Sequence, residues 1–194
     1  MAIKNFLAID KLVLPLFVFL VAHTVAVKAD AVTDWNKQAG DVVVAAGIGP
    51  LPAERALAIV HAAVYEAVNA ITQRYPVSDL KLDSAPNASV EAAIAAANRI
   101  ALMQLVPNQK AEIDKVYQAA IAAVGNEEAR KAGIAVGEQA AQQILTMRAN
   151  DGATDQETYR PVTNAGVYIP TVIPEAPQWI TRKPWLMTNA AQFR

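Results

Sequence analysis

Residues 53–72 read AERALAIVHAAVYEAVNAIT. Leu57, Val60, Val64, Val68 and Ile71 recur at three- and four-residue steps, and Ala56, Ala63, Ala67 and Ala70 widen the stripe. A period of 3.6 residues puts them on one side of an α-helix. The pattern continues in both directions. Upstream, Trp35, Ala39, Val42, Val43 and Ala46 predict a helix over Val32–Ala46, with Thr33 or Asp34 as its cap. Gly47-Ile48-Gly49-Pro50-Leu51-Pro52 breaks it. Downstream, Arg74–Ala88 is a loop holding Pro76 and Pro86. Ser89 or Asn87 then caps a helix to about Val106, where Pro107 stops it. Ala92, Ala93, Ala95, Ala96 and Ala97 cover nearly all its circumference, which predicts a central, closely packed helix. Asn108 is expected to cap a short helix to about Val124, ended by Gly125. Asn126-Glu127-Glu128 opens the next, with two acids at the positive end of its dipole, and it runs to about Arg148.

Composition points the same way. Of 194 residues, 54% are hydrophobic, and about 40 are alanine, the best helix former and the smallest apolar side chain. The expected fold is all-α: a bundle of about five helices over residues 30–152. Residues 153–194 differ. Five of the 11 prolines lie between Pro161 and Pro184, and Tyr159, Tyr168, Trp179, Trp185 and Phe193 follow no helical period. Disordered chains are poor in aromatics. The stretch therefore reads as an extended segment that wraps a surface and docks its rings, or as a linker.

The absence of cysteine excludes a disulfide scaffold, a Cys-ligated metal and a cysteine nucleophile. A net charge of -1 provides no basic stripe, so no nucleic-acid partner is expected. At the N-terminus, Lys4 and Lys11 precede the apolar run Leu12–Val27, and small residues follow around Ala29 and Ala31. That order describes a secretory signal peptide over residues 1–29, cleaved after Ala29 or Ala31. The run holds Pro15 and His23 and falls short of the ~20 apolar residues of a membrane span. The expected product is exported, periplasmic or secreted, with no membrane association after cleavage. It would carry 14 Lys and Arg against 17 Asp and Glu, and a single histidine, His61.

Motifs of catalysis are sparse. There is no G-x-S-x-G, no Gly-rich phosphate loop and no H-E-x-x-H. Asp151-Gly152-Ala153-Thr154-Asp155 is better explained as a helix end than as a calcium loop. The polar concentration is on the 53–72 helix, where Glu54, His61, Tyr65 and Asn69 share a face flanked by Arg55 and Glu66. Arg55, His61 and Glu66 form either an anion or proton-transfer site or a hydrogen-bonded seam that fixes helix register. The seam is the favoured expectation.

Asp30-Ala31-Val32-Thr33-Asp34-Trp35-Asn36, the run Arg55–Ile71, Ala135-Val136-Gly137-Glu138 and Arg148-Ala149-Asn150-Asp151-Gly152 together resemble a known family. The resemblance is to the N-terminal half of exported vanadium-dependent haloperoxidases of the type-2 phosphatidic acid phosphatase superfamily, and it covers residues 30–194. It implies helical bundles that hold vanadate, or phosphate in the phosphatases, through a lysine, two arginines, a Ser-Gly-His element and a second histidine. A trianion requires several cations, and the chemistry requires an imidazole. This chain has no Ser-Gly-His and no Arg-x-x-x-Gly-x-His. No catalytic, cofactor-binding or metal-binding residue transfers to it, and vanadate belongs to the full-length family rather than to this chain. The expectation is the N-terminal part of such a protein, truncated, split or fragmentary, and inactive alone. Its partner would be the C-terminal half or a separate chain, and uncovered alanine-rich faces would favour self-association. The rival expectation is a stand-alone exported helical interaction module.

Overall fold

The described part of the chain holds five α-helices and two 3-10 turns, with no strand among the described residues. The structure is a computed structural model that describes residues 30–193 apart from 79, 81 and 173. The expected signal peptide, residues 1–29, lies outside the described residues. The helices are α1 (Ala31–Ala45), α2 (Pro50–Thr72), α3 (Val90–Leu105), α4 (Lys110–Ala122) and α5 (Glu127–Met147). The 3-10 turns span Pro107–Gln109 and Pro177–Thr181.

α2 starts at Pro50, three residues before the stretch 53–72. Pro50 and Pro52 sit in its first turn, where no backbone N–H needs an intrahelical partner. The chain reverses before them at Gly47, whose φ of +68° a side chain would strain. α1 begins at Ala31, so Thr33 and Asp34 lie inside its first turn and are not its cap. Ser89 caps α3 as expected, and Asn126, at the expected start of α5, caps that helix. The Ser89 hydroxyl accepts from the Ala92 N–H at 3.1 Å, and Asn126 Oδ1 accepts from the Ala129 N–H at 2.9 Å.

Asn108 has a different task from the expected one. Pro107–Gln109 forms a 3-10 turn and α4 starts only at Lys110. The Asn108 amide donates to Ala46 O at 3.2 Å, and the Gln109 amide donates to Ala45 O at 3.1 Å. Both satisfy carbonyls at the end of α1, where no further helical N–H is available.

α3 is the axis of the bundle. It packs on α1, α2, α4 and α5, with α5 its most extensive neighbour. Every residue from Ala92 to Asn98 is buried, as the alanine-covered circumference predicted. The contact with α5 is backbone to backbone. A Cβ added at Gly133 would lie 2.3 Å from Ser89 O, and one at Gly137 would lie 2.2 Å from Ala93 O. Bulk comes from the flanks, where Ile59, Ile94, Leu102 and Ile113 are wholly enclosed. Arg99 joins α3 to α4 by an ion pair with Asp114 at 2.7 Å and by lying over the Tyr117 ring at 4.8 Å.

The Gly137→Ala protein tests the α3–α5 contact. Alanine gains ~1 kcal/mol over glycine in a helix interior. Overpacking costs about 1–3 kcal/mol, and here the obstacle is backbone. A net loss of stability is expected in urea denaturation. An unchanged or higher midpoint would mean that the two helices part without cost.

Candidate functional site

The polar residues of α2 do not assemble into one site. No hydrogen bond joins any two of Arg55, His61 and Glu66. Glu66 Oε2 accepts from the Ser78 hydroxyl at 2.6 Å, in a small cavity of about 290 Å3 that Asn69 and Ser84 also line. His61 is exposed and lines a separate groove of about 450 Å3 with Val32, Val64, Tyr65, Val68 and Tyr75. The Tyr65 and Tyr75 rings lie 5.9 Å apart there. Asn69 is a clasp for the chain leaving α2. Its Oδ1 accepts from the Tyr75 N–H at 2.9 Å, and its amide donates to Tyr75 O and Pro76 O at 3.2 and 3.3 Å.

Arg55 turns to the other end of the bundle. There α5 ends and the chain comes back against α2. Asp151 is 2% exposed, and its carboxylate is surrounded by arginines. Oδ2 accepts from Arg55 Nε at 2.8 Å and from Arg148 Nε and Nη2 at 3.1 and 3.0 Å. Oδ1 accepts from the Ala153 N–H at 3.1 Å and faces Arg182 Nη1 at 3.5 Å. Arg55 Nη2 donates to Arg148 O at 2.9 Å. The C-terminal segment is bound to the same group. Arg148 donates to Lys183 O at 2.7 Å and to Pro184 O at 3.2 Å, and the Lys183 N–H donates to Asp151 O at 3.1 Å. Trp185 lies over the Arg148 guanidinium and Trp179 over that of Arg182, each at 4.3 Å. A weakly hydrated guanidinium suits both the carboxylate edge and the indole face.

Burial pushes the Asp151 carboxyl upward. The Arg55 hydrogen bond and the Arg55 and Arg148 charges outweigh burial and hold it below the ordinary carboxylate range. For Arg182, burial disfavours the charged form. Asp151 opposes that effect, and Arg55 and Arg148 add to it. The node joins residues 55, 148–153 and 179–185, so no local pattern could announce it. The available signals were Arg148 and Asp151 at ion-pair spacing and two tryptophans beside Arg182 and Lys183.

Asp151 occupies the centre of the arginines, and His61, the histidine among the described residues, lines the groove that holds Tyr65 and Tyr75. Among the described residues there is no group of three or more His, Asp or Glu placed to bind a metal ion, which leaves the question of an anionic cofactor untouched. Comparison with protein-family models, with curated protein sequences and with solved structures gave no match.

Asp151→Asn is expected to destabilise the chain by about 3–5 kcal/mol, because it leaves buried guanidiniums without their anion. Since the native carboxyl titrates lower than the unfolded one, at ~3.9, its contribution is complete above that pH. It fades as pH falls through the native value. Denaturation followed by the emission of Trp179 and Trp185 should therefore show a wild-type advantage at pH 7 that shrinks towards pH 3. A constant difference between the two proteins would contradict this role.

Proposed function

We propose that this chain is the N-terminal, non-catalytic helical part of an exported vanadium-haloperoxidase-like protein, built to pack beside a catalytic bundle. The observation that carries the reading is the way the C-terminal segment is held and what it displays. The arginine–Asp151 node fixes residues 179–185 against α2 and α5, while Ile180, Leu186 and Phe193 are 80%, 99% and 82% exposed. Large exposed apolar side chains on and beyond a clamped segment favour a protein partner. Arg55, His61 and Glu66 lie in three different surroundings, which favours structural roles for the α2 polar residues. Arg55 holds the segment, Glu66 fixes Ser78, and Asn69 shapes the chain after α2.

The second reading, a stand-alone exported module that binds a separate chain, rests on the same exposed side chains. The reading frame beyond codon 194 separates the two. The first expects downstream coding sequence for Ser-Gly-His and a later Arg-x-x-x-Gly-x-His, and the second expects none. Purified chain is expected to show no bromide oxidation with vanadate and peroxide and no phosphatase turnover. Turnover by this chain alone would falsify the non-catalytic assignment. Size-exclusion chromatography should show self-association through the uncovered apolar side chains, and a clean monomer would count against them as an interface.

A further inference from the structure

The arginine–Asp151 node is unbalanced. Three guanidiniums, each with a side chain at most 21% exposed, share one carboxylate, leaving two positive charges in excess. Exposed Lys183 and exposed Glu54 at the rim offset each other, and Asp155, which also acts on Arg182, is exposed and screened by solvent. Like charges taken out of water repel strongly unless an anion joins them.

Hydrogen bonding also leaves donors of two of the three arginines unmatched, while Gln178 Oε1 of the C-terminal segment is likewise buried without a partner. Arg148 is fully engaged, with Asp151, Lys183 O and Pro184 O around it. Arg55 uses Nε and Nη2 and keeps Nη1. Arg182 makes only long contacts, 3.5 Å to Asp151 and 3.4 Å to Ala153 O, and its Nε is buried with no partner. Buried donors are seldom left so.

A cleft of about 390 Å3 opens beside these two arginines, between α2 and the 179–187 segment. Its lining is mainly apolar: Ala58, Trp179, Pro184, Trp185 and Met187 form the walls. Concave apolar sites with a few fixed polar groups are the usual form of small-molecule sites. We propose that this cleft binds a small organic monoanion with an apolar body, an aryl or alkyl carboxylate. Its carboxylate meets Arg55 and Arg182, and its body lies against Trp179, Trp185 and Met187. A second carboxylate there removes part of the excess charge and supplies an acceptor to Arg55 Nη1 and a nearer one to Nη1 and Nη2 of Arg182, whose present contacts are long. A single negative charge fits better than a trianion, because Asp151 already neutralises one of the three arginines.

Benzoate is the probe, titrated into the full chain and read by Trp fluorescence and by calorimetry. Benzyl alcohol supplies the same body without charge, and inorganic phosphate supplies charge without the body. Saturable benzoate binding is expected with a dissociation constant on the order of 1 mM, in keeping with a ligand of this size. Benzyl alcohol and phosphate should each bind at least tenfold more weakly. Arg182→Gln should lose at least tenfold in benzoate affinity. Because that substitution also touches the node, Glu54→Gln is the companion. It removes an exposed rim anion without disturbing a hydrogen bond of the node, and it should tighten benzoate a few-fold. The proposal is overturned if benzoate fails to saturate at roughly ten times the expected constant. Equal binding of benzyl alcohol or of phosphate overturns it too, as does unchanged or weaker benzoate binding to the Glu54→Gln protein.

Discussion

Gly133 and Gly137 rest on the backbone of α3, and the rest of the bundle follows from how close that contact is. A side chain at either position would meet a carbonyl oxygen at little over 2 Å. With hydrogen there instead, α5 approaches α3 as closely as backbone sterics allow, and the alanines of α3 leave room for α1, α2 and α4 around the remaining circumference. Dispersion falls steeply with separation, so small residues gain through proximity what they lack in area. The contact also sets where α5 ends. Just past its last residue, Arg148 and Asp151 meet Arg55 of α2. A wider α3–α5 spacing would move the buried carboxylate away from its first guanidinium.

Electrostatics takes over from packing at that end. One carboxylate with a wholly buried side chain organises three cations and, through Arg148, two carbonyls of the returning chain. Burial and pairing act oppositely on Asp151, and pairing prevails because several donors converge on two oxygens. The same convergence leaves the arginines short of negative charge. The node thus holds the C-terminal segment firmly while its own charge stays incompletely matched.

The helices were legible in the sequence because their cause is local. The stripe of α2 and the alanines of α3 follow from a 3.6-residue repeat and need no distant partner. Ser89 was legible as a cap, and Asn126 as the start of α5, for the same reason, since each satisfies an N–H three residues on. Asn108 was misread because its partner, Ala46 O, is 62 residues away, at the end of another helix. The glycines of α5 gave no hint of their contact, since glycine in a helix otherwise reads as a weakness. Arg55 stood out as a polar residue on an apolar helix, but its grouping with His61 and Glu66 rested on helical spacing within that one element. Its real partner, Asp151, is 96 residues distant.

The path of the chain between the node's two anchorages has a further consequence. Residues 154–169 are exposed throughout, while Asp151 on one side and residues 179–185 on the other are tied to each other and to α2. The covalent connection is therefore not what keeps the segment in place. A peptide bond cut within 156–169 would leave two fragments still joined by the guanidinium, carbonyl and indole contacts of the node. Acid strong enough to protonate Asp151, rather than cleavage, would be needed to separate them.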